Sequence, residues 1–228
     1  MEKKQSELCL EILRRFNNAG VLDDLILIGS WCVYFYVDYF SDVPYTARQT
    51  IKTRDLDFLI DNPGRMRHEV NIPELLEDLG FIIIYKGAKG YIKLEHPDLL
   101  LEFLVPERGK GIDKPVALPK LGLNAVALRF LSFLSADTIT VKVEGFHIRM
   151  PHPANFALHK LIISPRRLKQ DKAQKDRDTA LIILRALIGK GEARKIRQAF
   201  ESVPKKWRDK ILGVLNESED ADIIAVLA

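Results

Sequence analysis

Thr53-Arg54-Asp55-Leu56-Asp57-Phe58-Leu59-Ile60 (TRDLDFLI, residues 53–60) alternates charged and apolar residues and then turns wholly apolar, the pattern of a half-buried strand. Residues two apart on a strand point to the same face, so Asp55 and Asp57 share one. A second apolar run, LLLEFLV at 99–105, carries Glu102 among aliphatic and aromatic neighbours. A carboxylate has no packing role there, and a lone buried acid is costly. If the two strands are neighbours, about 5 Å apart, the three acids repel one another unless a cation relieves them. Mg2+ (or Mn2+), which takes carboxylate oxygens and leaves positions for water and phosphate, suits such a cluster. The plain alternatives are that a D-x-D on a strand caps a loop or pairs with Arg54, and that Glu102 is simply solvated at a strand edge.

Upstream, the apolar strand LILI (25–28) ends at Gly29-Ser30, and the helix-like stretch WCVYFYVDYF (31–40) begins. Backbone N–H groups left open at a strand-to-helix turn form an anion cradle. Gly29 lets the backbone approach a phosphate closely, and the Ser30 hydroxyl can donate to a phosphate oxygen.

Gly-Ser, then Asp-x-Asp, then a third acid on a later strand resembles the DNA polymerase β-type nucleotidyltransferase superfamily. TRDLDFLI is similar to the corresponding segment of stand-alone prokaryotic members, including the toxin-type group related to AbiEii. The resemblance implies two-metal nucleotidyl transfer: Asp55, Asp57 and Glu102 catalytic and metal-binding, with Glu102 helping to activate the acceptor. It further implies that Gly29 and Ser30 belong to the nucleotide site, to which Arg54 is added as a candidate from its place ahead of the acid pair. Two departures stand out, a Glu where the better-known members have a third Asp, and a long gap from Ser30 to Asp55.

In the stretch HKLIISPRRLKQDKAQKDRDTALIILRAL (159–187), Lys160 and Asp176 resemble the Lys and Asp that toxin-type relatives place on two helices of the nucleotide site. Asp178 is a weaker match, because Thr179 stands where a second Asp often does. On the residues alone, Lys160 also reads as a snorkelling amphipathic Lys, and Lys172 with Asp176 as an ordinary i,i+4 pair. Arg48, Lys52 and Arg54 are further candidates for phosphate contact, or surface charges. His152 and His159 read as capping or packing residues.

Composition, 47% hydrophobic and 29% charged over 228 residues, is that of an ordinary globular protein with a sizeable core. No apolar run reaches the length of a membrane span, and the N-terminus MEKKQSELCLEILRRF lacks the apolar centre of a signal peptide. It reads instead as an amphipathic helix with Leu8, Ile12 and Phe16 on one side. Cys9 and Cys32 have no metal spacing and fit reduced, buried thiols in a cytoplasmic protein. The five histidines give no zinc pattern. Residues 159–210 hold 16 Lys or Arg against 6 Asp or Glu, whereas the rest of the chain is net acidic. A basic helical face can neutralise triphosphate or hold an RNA backbone, and it is also what a solvated helix surface looks like.

The expected path is helix 5–17, strand 24–29, helix 31–40, strand 55–60, helix 73–79, and strands 81–86, 91–95 and 99–105. GAKG (87–90) is a hairpin turn, a helical piece spans 123–134, and a second hairpin, TITVKV-EG-FHIRMP, turns at Glu144-Gly145. Helices follow at 153–163, 169–188, 191–201 and 204–216, with a short last one from 219. This is an α+β fold: a polymerase β-like nucleotidyltransferase mixed sheet with flanking helices, plus a C-terminal helical domain. The expected divisions are a catalytic domain at 1–110, a connecting region at 111–150 and a helical domain at 151–228. The resulting expectation is transfer of a nucleoside monophosphate from a nucleoside triphosphate to an acceptor, an RNA end such as tRNA, a protein side chain or a small molecule, with release of pyrophosphate. The competing classes are a catalytically silent nucleotide- or RNA-binding module, a toxin with an antitoxin partner, and a homodimer joined through apolar segments such as WCVYFYVDYF or AVALRFLSFL.

Overall fold

The computed structural model describes residues 2–45, 53–109 and 114–227. They form two compact units, one from 1–32 with 51–150 and the other from 33–50 with 151–228.

The first unit is a mixed sheet with helices. Helix α1 (Glu2–Asn18) buries Gln5, Cys9, Ile12, Leu13 and Phe16, a stripe at helical spacing. The stripe is centred on Cys9 and Leu13 rather than on Leu8, which is only half-buried. Burial pushes the Cys9 thiol pKa up, so that cysteine stays protonated and inert. The helix gives way to a turn at Gly20, whose φ is 76°.

Strands β1 (Ile26–Ile28), β2 (Asp55–Leu59), β3 (Ile82–Lys86), β4 (Tyr91–Glu95) and β5 (Leu100–Pro106) lie in the order β1-β2-β5-β4-β3. β2 and β5 run parallel at the centre, and β1 and β4 flank them antiparallel. Helix α3 (Ile72–Leu76), capped by the Asn71 side chain and continued by a 3-10 turn at Glu77–Leu79, leads into β3. One face of the sheet carries Phe58 and Phe103, stacked with centroids 5.7 Å apart, and Phe16 of α1 closes over Phe58 at 5.3 Å. Each of these buried rings contributes on the order of 1.5–3 kcal/mol by removal from water.

The expected helix at 123–134 is corrected by the structure. Leu123–Leu128 is a strand, β7, pairing parallel with β5 and antiparallel with β6 (Val116–Leu118), and the helix α4 covers only Leu131–Ser135. The reason is tertiary: the open edge of β5 at Leu104–Pro106 takes up Val126–Leu128, and a short apolar run adopts whichever state its neighbour offers. Asn124 splices β7 to β4, its side chain accepting from Ile92 N–H at 2.9 Å and donating to the Gly90 carbonyl at 3.0 Å. Within AVALRFLSFL, Ala125, Leu131, Phe133 and Leu134 are buried. Leu131 and Leu134 pack on Ile26, Ile28, Leu59 and Leu104, covering part of the second face of the sheet.

Strands β8 (Thr138–Val143) and β9 (Phe146–Pro151) form the expected hairpin. Its turn has positive φ at both Glu144 and Gly145, the I′ geometry that matches strand twist.

Helix α2 (Trp31–Tyr39) follows the Gly29-Ser30 turn, with Trp31, Cys32, Val33, Phe35 and Tyr36 buried. The second unit is otherwise helical: α5 (Pro153–Ile163), α6 (Gln170–Gly189), α7 (Ala193–Glu201), α8 (Lys205–Glu217) and α9 (Ala221–Leu227). α5 is its centre, buried along almost its whole length, and packs against α6, α7 and α8. Tyr36 donates to the Pro151 carbonyl at 2.7 Å and meets Phe156 edge-on, which fixes residues 33–40 in this unit. Among the described residues no helix is long and apolar enough to cross a membrane.

Candidate active site

The register of β2 on β5 sets Asp57 directly beside Glu102 and Asp55 beside Leu100, while Ile28 of β1 flanks Asp57 on its other side. Matched positions on neighbouring strands share a face. Asp55, Asp57 and Glu102 therefore project from the face opposite Phe58 and Phe103, beyond the end of that face which α4 covers. Asp55 is exposed and Asp57 half-buried, so the pair faces solvent from an apolar strand.

The turn after β1 reaches this same spot. Gly29 has φ of 75°, and a Cβ built on it would overlap Oδ2 of Asp57 and lie 3.3 Å from its Cγ. Glycine is needed here for its backbone and for its missing side chain alike. The expected cradle and the expected acid pair are thus in contact, with Ser30 next in the chain and α2 starting at Trp31. Cys32 N–H closes the turn on the Gly29 carbonyl at 3.2 Å.

Glu102 has a neighbour that motif reasoning did not single out. β4 pairs with β5 at Leu94–Leu101 and Glu95–Leu100, and one step further along this register Lys93 meets Glu102. Its ammonium donates to Glu102 Oε2 at 2.9 Å, with the two side chains 20% and 22% exposed. The signal was present in YIKLE, where Lys93 sits two residues from Glu95 on the strand after the GAKG turn, but it becomes legible only once strand order is known.

Among the described residues no three His, Cys, Asp or Glu side chains converge into a metal cage. The donor set nevertheless fits a hard cation. Two carboxylates on one face, with open positions for water and substrate phosphate, are what magnesium accepts, and the missing Cβ at Gly29 leaves the room that the Asp57 carboxylate occupies. Asp55 and Asp57 are the residues that would hold it.

Arg54, at the exposed start of β2, donates to the His96 carbonyl at 2.6 Å and accepts Leu100 N–H on its own carbonyl at 2.7 Å, clamping the ends of β2 and β5. Arg48 and Lys52 lie outside the described residues. A polar groove of about 320 Å3, lined by Asp24, Asp61, Asn62, Arg65 and Arg149 among others, lies at the far end of β2 from the acids and shares none of the expected residues.

Lys160 and Asp176 meet in the second unit, with Lys160 Nζ 2.6 Å from Asp176 Oδ1. Arg167 Nε completes the carboxylate at 2.7 Å on Oδ2, and Lys160 sits 5.1 Å from the Phe156 ring centre. Burial alone would raise the Asp176 pKa. The charge of and hydrogen bonds from Lys160 and Arg167 outweigh burial and hold the carboxyl below its usual range. Asp178, one of the weaker candidates, faces outward and accepts from Gln174. His152 caps α5, its Nδ1 accepting from Ala154 N–H at 3.1 Å. His159 is buried, and burial, reinforced by the charge of Lys160, pushes its pKa down to about 3.

The strand register brings the Gly-Ser turn and the paired acids to one place, and comparison with known proteins decides the family. A model of a nucleotidyltransferase family matches residues 7–204. The chain belongs to this nucleotidyltransferase family. No curated protein sequence matches it. Solved structures share its fold. The solution structure of the antibiotic-resistance factor ANT(2'')-Ia superposes with a TM-score of 0.52 at 16% identity, covering 89% of this chain and 94% of that one. The same protein in complex with adenylyl-2''-tobramycin gives 0.51 at 16% identity, covering 87% and 98%. An antigenic nucleotidyltransferase-like protein from Paracoccidioides brasiliensis gives 0.51 at 12% identity, covering 99% and 92%. This nucleotidyltransferase thus carries the family's mixed sheet and flanking helices.

Proposed function

We propose that this nucleotidyltransferase is a magnesium-dependent enzyme that transfers a nucleoside monophosphate from a nucleoside triphosphate to an acceptor hydroxyl at Asp55, Asp57 and Glu102. The observation that carries this reading is the contact of Gly29 with Asp57, which joins a phosphate-binding turn to a carboxylate pair in one place. Divalent metal, when bound, supplies charge neutralisation of the triphosphate and of the in-line displacement.

The remaining chemistry belongs to the chain. Open N–H groups at the start of α2 and the Ser30 hydroxyl bind triphosphate oxygens. Asp55 and Asp57 would hold the cation. The acceptor oxygen bonds to the α-phosphorus, the bond from that phosphorus to the oxygen bridging toward the β-phosphorus breaks, and pyrophosphate leaves. Glu102, one strand further on the same face, takes the hydroxyl proton. Lys160 and Asp176 are proposed as nucleotide-site residues by resemblance; the closed ion pair they form favours a structural part in the second unit.

The basic stretch 159–210 favours an RNA end as the acceptor, since 16 cations against 6 acids suit a phosphate backbone. The TRDLDFLI segment also supports a place near the AbiEii toxin-type group, in which case an antitoxin is the partner to seek.

Incubation with α-labelled nucleoside triphosphates and total RNA, a protein lysate or an aminoglycoside tests the reading. Label should move to RNA in the wild type and not in Asp57→Asn. Absence of transfer to every acceptor, with pyrophosphate release no faster than in Asp57→Asn, would contradict it.

A further inference from the structure

We propose that Lys93 is a positioning residue that holds Glu102 away from the Asp55–Asp57 pair and reserves it for the acceptor. The inference rests on the nucleotidyl-transfer site described above and assigns a part to a residue outside its motifs.

Three observations carry it. First, Asp57 and Glu102 are direct neighbours on parallel strands, close enough for one cation to draw both, yet among the described residues no three acids converge to hold a metal ion. Glu102 spends one oxygen on Lys93 at 2.9 Å instead. Second, Glu has one more rotatable bond than Asp. A glutamate standing where an aspartate would do needs an external tie to stay in one rotamer, and the cross-strand ammonium is that tie. Third, both side chains are about four-fifths covered, at 20% and 22% exposure, so the pair is neither a solvated surface contact nor a buried core pair. The position is fixed by backbone pairing on both sides: β4 is held to β5, and Ile84 of β3 faces Lys93 from the other side.

The consequence is a division of labour across one row of the sheet, running Asp57, Glu102, Lys93. Asp55 and Asp57 form the cation-binding end. Oε2 of Glu102 is engaged with Lys93, which leaves Oε1 as the atom that receives the acceptor's proton as the new phosphorus–oxygen bond forms and pyrophosphate departs. Lys93 also sets the net charge of the cluster. With it, the three acids and one ammonium sum to −2; without it, they sum to −3.

This predicts an effect that a merely structural ion pair does not produce. Manganese binding to the whole chain, without nucleotide, is measured by calorimetry on the wild type, Lys93→Met, Lys93→Arg and Glu102→Gln, and on the double variant Lys93→Met/Glu102→Gln. Lys93→Met should bind manganese about three- to tenfold more tightly, because the freed Glu102 joins the Asp pair. Lys93→Arg should match the wild type, and Lys93→Met should have a clearly smaller effect in the Glu102→Gln background, where only the loss of the positive charge remains. Lys93→Gln serves as a second probe, and a melting curve confirms that each variant is folded. Unchanged or weaker manganese binding in folded Lys93→Met and Lys93→Gln would overturn the inference while leaving the site intact. Absent wild-type binding would overturn the inference, which needs manganese at the acid pair without nucleotide, and binding that survives Asp55→Ala/Asp57→Ala would overturn the site itself and the inference with it.

Discussion

The carboxylate of Asp57 occupies the space that a side chain on Gly29 would need, so the turn after β1 and the acid pair on β2 are built against each other. Gly29→Ala should therefore fail twice, through a positive φ and through displacement of Asp57. The strain alone should cost about 1–3 kcal/mol in urea denaturation. Nucleotide binding should drop with it. Asp57→Ala in the same chain should recover part of the stability and none of the binding, a non-additivity that a double-mutant cycle reads directly.

Asp57→Asn and Glu102→Gln keep shape and remove charge. Transfer activity should fall on the order of 10²–10³-fold for each, the usual size for loss of one preorganised charged group. Melting temperature without metal should hold or rise for Asp57→Asn, where repulsion among the acids is relieved, and fall only slightly for Glu102→Gln, which also gives up the ion pair with Lys93. A steep fall in melting temperature would mark them as structural residues instead.

His159 predicts a pH dependence of the second unit. Its folded pKa, pushed to about 3 by burial, lies well below its unfolded value near 6.5. The folded state keeps the ring neutral while the unfolded chain takes up a proton, so stability declines as pH falls through 6.5 and continues to decline toward 3. At pH 5.5 the loss from this residue is about 1 to 1.5 kcal/mol. Asp176, whose pKa is lowered, adds its own loss only in the more acidic range below the ordinary carboxylate value. His159→Leu should flatten the urea midpoint between pH 7 and 5 and leave the acid limb in place.

Lys160→Met leaves Asp176 buried with only the partly exposed Arg167 beside it. A broken buried pair of this kind costs about 3–5 kcal/mol. Lys160→Met/Asp176→Leu should regain most of that, because both charges leave the interior together. If nucleotide affinity is unchanged in the double variant, the pair is structural; a loss of affinity in a folded double variant would return both residues to the nucleotide site.

The strands bearing the acids could be read from the chain because their signals are local. TRDLDFLI and LLLEFLV declare two strands by alternation and apolar run, and the glycine-bearing turns at 87–90 and Glu144-Gly145 declare two hairpins. Strand β7 could not be read this way. LNAVAL has no period of its own, and its state is set by the edge of β5, some twenty residues upstream. Lys93 was missed for the same reason, since its partner is fixed by β4–β5 pairing and not by spacing in the chain. Residues 33–40 join the helices after 151 through contacts such as Tyr36 with Pro151 and Phe156, more than a hundred residues apart. No window of sequence carries that information.

The central claim is most directly tested by calorimetric titration of the whole chain with each of the four ribonucleoside triphosphates, with and without magnesium, on the wild type and on Asp55→Ala/Asp57→Ala. Magnesium-dependent binding of at least one triphosphate by the wild type, lost in the folded double variant, is the result this account predicts. Binding of none of the four by folded wild-type protein, or binding that the double variant retains in full, would contradict it.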